Sequence, residues 1–165
     1  MPDLASYTLR TWLGIALAVF LVDHATKFLA SSMLDYHEIV PVLPFFSFIL
    51  VHNTGAAFSL LADAGGWQRW FFIVVGIVAT VIIVYLLRRH ANEPRQALPL
   101  ALLLGGALGN VIDRVLLGYV VDFLYLHYRD FSWPVFNLAD TAIFVGALWL
   151  IWDSLFGKPS AKSPT

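Results

Sequence analysis

Between Phe71 and Leu87 the chain reads FFIVVGIVATVIIVYLL, without one charged residue. In hydrocarbon every peptide group must find its partner inside the segment, so a run this long and this apolar is a membrane-spanning helix. Trp67 and Trp70 precede it where an interfacial aromatic belt belongs, and RRHANEPR follows, a short basic loop whose Pro94 ends the helix. The rest of the chain keeps the same character. Of its 165 residues 59% are hydrophobic and 13% charged, and the mean hydropathy is +0.76. That is the profile of one membrane domain rather than a soluble one.

Three further stretches have the length to span. Residues 11–22, TWLGIALAVFLV, follow Arg10 like the core of a signal peptide, but Asp23, His24 and Lys27 come next instead of a small-residue cleavage site. The segment is therefore the first of four predicted transmembrane helices, at about residues 11–31, 68–88, 97–117 and 138–156. The third carries Gly105, Gly106 and Gly109, a flat face that another helix can approach closely. Residues 35–61 break the pattern with Pro41, Pro44, β-branched and aromatic residues and an Asn-Thr-Gly turn. They predict a small sheet or hairpin on the membrane surface with Asn53 at its turn. The stretch after Asp122 reads as an aromatic-rich connection. The expected fold is thus an all-α integral membrane protein with a small β-sheet inserted between helices one and two.

Four spans put both termini on one side. Arg10, Arg88, Arg89, Arg95, Lys158 and Lys162 fall at that side, against Arg69 and Arg129 at the other. The positive-inside rule places both termini in the cytoplasm.

Several function classes drop out. A net charge of −1 gives no basic patch for nucleic acid. The absence of cysteine removes thiol nucleophiles, disulfides and thiolate metal sites, and the five histidines show no zinc-ligand spacing. Carboxylates, lysines and hydroxyls remain as catalysts.

With this topology Asp23, Lys27, Asn53, Arg114, Asp122 and Asp140 all gather at the external mouth of the bundle. Hydrocarbon accepts a charged group at mid-membrane only at a cost of about 2.5–3.5 kcal/mol. Asp23 and Lys27, at i and i+4, share one helix face and can neutralise each other. Asp113 is expected to pair with Arg114 or another neighbour, and Asp130, beside Arg129, to be solvated. Asp122 and Asp140 lie on separate elements flanking one mouth. Two carboxyls in a low-dielectric cleft share a proton, which is equipment for peptide hydrolysis and equally for carrying protons or cations.

The motif set narrows this choice. Asp23-x-x-x-Lys27, Asn53-Thr54-Gly55-Ala56-Ala57-Phe58, Gly105-Gly106-Ala107-Leu108-Gly109-Asn110 through Asp113-Arg114, Val121-Asp122-Phe123 and Phe136-Asn137-x-Ala139-Asp140 together resemble bacterial lipoprotein signal peptidase, signal peptidase II. The resemblance covers nearly the whole chain, in order, with no departure at a motif position. It implies an inner-membrane aspartic endopeptidase that needs no metal or cofactor. Its substrate would be a diacylglyceryl-modified prolipoprotein, cut on the amino side of the lipid-modified cysteine. By the family pattern Asp122 and Asp140 are the catalytic dyad. Asn53, Gly106, Asn110, Arg114, Asn137 and Ala139 line the site, supported by Asp23 and Lys27. The family's fold adds a periplasmic β-cradle, in line with the reading of residues 35–61. Membrane lipid is the expected surrounding, and nothing demands a partner subunit, so a monomer is expected.

Two rivals differ in class. Lys27 and Ser31, at i and i+4, are the pieces of a serine enzyme with a lysine base, although no oxyanion hole is evident. Asp23 and Asp140 are the pieces of a proton-coupled transporter, although nothing acidic matches them at the cytoplasmic end.

Overall fold

The computed structural model describes residues 8–55 and 65–157. Its helices are α1 (Leu9–Met33), α2 (Trp67–Arg89), α3 (Pro94–Leu116) and α4 (Leu138–Phe156), all long and apolar enough to cross a membrane. Four strands accompany them: β1 (Ile39–Leu43), β2 (Phe46–Asn53), β3 (Val120–Tyr128) and β4 (Phe131–Ser132).

α3 is the axis of the bundle. It packs on each of the other three helices, and 56% of its most apolar window is buried against 11–22% for theirs. The reason is compositional: α3 carries small residues at the points where α1 and α4 close in. A Cβ on Gly106 would collide with the carbonyl oxygen of Ala139 in α4, and one on Gly109 would stand 2.6 Å from Asp23 Oδ2 of α1. Glycine at these two positions sets how near α4 and α1 can come. The other helices turn Val, Ile, Leu, Phe and Trp outward, with Phe28, Val81, Trp152 and Leu155 each more than half exposed. Such faces are stable against lipid and not against water.

One end of the bundle holds a dry core of Trp12, Ala16, Leu87, Ala97, Leu100, Ala101 and Leu104. There the Trp12 indole donates to the Ala91 carbonyl at 2.7 Å, tying α1 to the α2–α3 loop. Pro94, expected to break α2, is instead the first residue of α3, since α2 already ends at Arg89. Proline suits a first helical turn because its missing N–H has no intrahelical partner there.

The sheet stands at the opposite end, antiparallel throughout, in the order β1-β2-β3-β4. Only half of it comes from the segment between α1 and α2. β3 and β4 come from the α3–α4 connection, which the sequence marks only as aromatic-rich. Val120, Val121, Asp122 and Phe123 are all buried, so the start of β3 lacks the in-out alternation by which a strand is read. Register places Val51 opposite Asp122 and Asn53 opposite Val120.

Candidate active site

Three chain turns deliver the polar residues to the end of α3. The first closes α3. Leu117 N–H donates to the Asp113 carbonyl and Gly118 N–H to the Arg114 carbonyl, with Gly118 left-handed at φ 90°. Arg69, from the first turn of α2, adds Nε to the Arg114 carbonyl and Nη2 to the Val115 carbonyl, both at 2.8 Å. In sequence Arg69 is only an outer-side charge; its capping role depends on where α2 begins in space. The chain can then enter β3 at once, carrying Asp122.

The second turn starts α4. Asn137 is its N-cap: Asn137 Oδ1 accepts from Asp140 N–H at 2.8 Å, and Asp140 Oδ2 accepts from Asn137 N–H at 3.4 Å. This reciprocal pair is a capping box. The third turn follows β2, where Asn53 Oδ1 accepts from Gly55 N–H at 3.0 Å. The remainder of that motif, Ala56, Ala57 and Phe58, lies outside the described residues, as do Lys158 and Lys162 of the basic tail.

These turns fix three side-chain amides whose orientation follows from their partners. Asn53 Oδ1 and Asn137 Oδ1 each face a backbone N–H, and Asn110 Oδ1 faces the Lys27 ammonium at 3.0 Å. Neither partner can accept a hydrogen bond, so each amide must present its NH2 on the other side. All three point at carboxyls. Asp122 Oδ1 accepts from Asn137 Nδ2 at 2.6 Å and Asp122 Oδ2 from Asn53 Nδ2 at 2.9 Å. Asp140 Oδ1 accepts from Asn110 Nδ2 at 2.7 Å. Asn137 Nδ2 also lies 3.3 Å from Asn110 Oδ1, which closes the network between the two aspartates.

Asp122 is 1% exposed. Burial, and then the charge of Asp140, push its carboxyl from the ordinary 3.8 up to about 7, against the opposing hydrogen bonds from Asn53 and Asn137. Near neutrality such a pair carries about one proton between two carboxyls. One member can then act as a base while the other acts as an acid.

Beneath the pair lies a buried ion cluster. Lys27 reaches Asp23 Oδ2 at 2.7 Å and Asp113 Oδ2 at 2.8 Å, besides Asn110. Three donors meet three acceptors. Asp113 therefore pairs with Lys27 and not with its neighbour Arg114. Arg114 instead donates Nη2 to the Gly55 carbonyl at 2.7 Å, and its guanidinium stacks 5.0 Å from the centre of the Phe72 ring. Ala139 is fully buried, and its N–H donates to Asp23 Oδ1 at 2.8 Å. Gly106 packs against the Ala139 carbonyl. All ten residues expected to form or support the site thus meet in one place. The Lys27–Ser31 alternative lacks this support: Ser31 is exposed, whereas the Lys27 ammonium is committed to Asp23, Asp113 and Asn110. Among the described residues no group of three His, Cys, Asp or Glu side chains is arranged to hold a metal ion.

Residues 15–156 match the family described as signal peptidase (SPase) II. The chain belongs to the signal peptidase II family. The lipoprotein signal peptidase of Teredinibacter turnerae is 52% identical over 152 residues, covering 92% of this chain and 90% of that one. That of Paraburkholderia phytofirmans is 53% identical over 151 residues, covering 92% and 88%. The four-helix fold with its sheet is also that of a bacterial membrane enzyme solved by the in meso method, with a TM-score of 0.83 at 29% identity over 97% of this chain and 98% of the other. A second such structure gives a TM-score of 0.80 at 30% identity, over 93% and 97%. Signal peptidase II membership makes this chain a multi-pass membrane peptidase by kinship.

Proposed function

We propose that this protein is an aspartic endopeptidase that removes the signal peptide from diacylglyceryl-modified prolipoproteins, cutting on the amino side of the lipid-modified cysteine. The observation that carries the proposal is the Asp122–Asp140 pair, bridged by Asn137 and Asn110 at one end of a membrane bundle. The ionised carboxyl takes a proton from water as the water oxygen attacks the scissile carbonyl. The protonated carboxyl gives its proton to the developing oxyanion. As the gem-diol collapses, one of its hydroxyls returns a proton to the pair, the C–N bond breaks, and the pair gives a proton to the leaving amine, so that it ends with one proton again.

The membrane setting suits such a substrate. A signal peptide is itself an apolar helix and can reach the site sideways from the bilayer, while the lipid chains of the modified cysteine remain in hydrocarbon. An apolar cavity of about 250 Å3, lined by residues that include Leu29, Met33, Phe48 and Phe123, adjoins the strand that carries Asp122. Asn53, Asn110, Asn137 and Arg114 line the approach. Asn53 and Asn110 hold the carboxyls as well as any peptide backbone they meet, and Arg114 holds the Gly55 carbonyl. The basic residues at the α2–α3 end support a bacterial inner-membrane orientation with both termini cytoplasmic and the site facing the periplasm. The enzyme works as a monomer surrounded by lipid.

The test is a gel-shift cleavage assay on a diacylglyceryl-modified prolipoprotein with wild type, Asp122→Asn and Asp140→Asn. Asn is nearly isosteric but cannot exchange a proton, so each variant should lose about 100- to 10,000-fold in turnover while remaining folded. EDTA should leave the wild-type rate unchanged. Near-normal cleavage by either variant would remove that residue from the dyad.

A further inference from the structure

The two carboxylates bound by Lys27 each make one more hydrogen bond, and the two bonds correspond. Asp113 accepts the N–H of Val121 on Oδ2 at 3.3 Å, and Asp23 accepts the N–H of Ala139 on Oδ1 at 2.8 Å. Val121 immediately precedes Asp122, and Ala139 immediately precedes Asp140. We infer that Asp113 and Asp23, clamped together by Lys27, are positioning residues that set the spacing of the carboxyl pair, each holding the peptide N–H one residue before one of its two members. The inference rests on Asp122 and Asp140 being the reacting groups, as proposed above.

The arrangement joins elements that nothing local would register. Asp23 lies on α1 and Ala139 at the head of α4; Asp113 lies on α3 and Val121 in β3. Lys27 reaches Asp140 by a second route as well, since Asn110 accepts from the ammonium on Oδ1 and donates to Asp140 Oδ1 through Nδ2. One ammonium therefore fixes the backbone before both aspartates and the side chain of one. Burying three charges is a poor way to gain stability, because well-packed apolar groups do as well or better. Charged hydrogen bonds do supply direction and fixed distance. A shift of about 1 Å in a reacting group can cost about 100-fold in rate, which gives such rigidity its use. His24 cannot replace the clamp, for its ring nitrogens stand 3.6 Å from Asp113 Oδ1 and 3.8 Å from Asp23 Oδ2.

Two variants at one position isolate the effect. Asp113→Ala and Asp113→Asn remove the same charge, and either leaves Lys27 paired with Asp23, so neither strands a buried ion. A single oxygen, Asp113 Oδ2, accepts from both Lys27 and Val121. The amide oxygen of Asn can take its place, and Ala offers nothing. With purified full-length enzyme in detergent and lipidated precursor, kcat should fall roughly 100-fold in Asp113→Ala and stay within about tenfold of wild type in Asp113→Asn. KM should remain within about threefold in both. A second readout needs no turnover: the infrared C=O band of protonated Asp122, recognised by its loss in Asp122→Asn, is titrated in both Asp113 variants. Its midpoint should differ between them, because their charge is equal and only the placement of Asp122 changes. Equal kcat and equal midpoints in the two variants would overturn the inference. If the wild type leaves the precursor uncut, the proposed function fails and the infrared comparison still decides the positioning role. Asp113→Leu, which fills the volume that Ala vacates, replaces Asp113→Ala if the latter does not fold.

Discussion

Asp122 shows how opposing local forces produce a usable acid. Burial and the neighbouring carboxylate drive its proton affinity up, while amide donors from Asn53 and Asn137 hold it back, so its carboxyl titrates at about 7 rather than at 3.8. Two pH effects follow, with definite sign. In the proposed mechanism the pair needs one proton, which it gives up as pH rises through about 7. kcat/KM should therefore fall on the alkaline side with a midpoint near 7, a value belonging to the pair. Stability moves the same way. A carboxyl whose folded value is raised favours the fold fully below its unfolded value near 3.8, and that contribution is lost as pH climbs through about 7. Melting in detergent followed from about pH 5.5 to about pH 8.5, the span over which such a group titrates, should thus show wild type losing ground to Asp122→Asn. A pH-independent difference between the two would contradict the shifted titration.

Among the elements, α3 bears the tightest constraint. A Cβ at Gly106 meets the Ala139 carbonyl and Ile143, and backbone cannot yield as a flexible side-chain tip can. Gly106→Ala should push α4 away from α3 and lengthen the Asn110–Asp140 hydrogen bond. The expected cost is about 1–3 kcal/mol of stability, read by unfolding in detergent, with a loss of turnover greater than that of stability. Unchanged melting would mean that the two helices pack less closely than the structure has them. The sheet is constrained differently. Its β2–β3 pairing brings Asn53 to Asp122, so the strands before α2 and those after α3 must assemble together before the site exists.

At the scale of the whole molecule, orientation is open to direct measurement because the chain contains no cysteine. Asn92, in the α2–α3 loop, and Asp130, between β3 and β4, are both exposed. In intact spheroplasts a membrane-impermeant maleimide should label Asp130→Cys and spare Asn92→Cys until the membrane is opened. The reverse pattern would invert the bundle and move the carboxyl pair to the cytoplasmic face. Much of this whole was legible in the chain itself. Four apolar runs of bilayer length permit only helices, because hydrocarbon leaves a peptide group no other partner, and the charged residues stand out because that medium makes them costly. What the chain could not reveal was pairing across distance: β3, from Val120, completing a sheet begun at Ile39, Arg69 capping α3, and Asp113 turning from its neighbour Arg114 to Lys27. Local periodicity carries the first kind of information, since a helix satisfies its own backbone. The second kind depends on which donors and acceptors are left unpaired once the helices have packed, and only the folded bundle settles that.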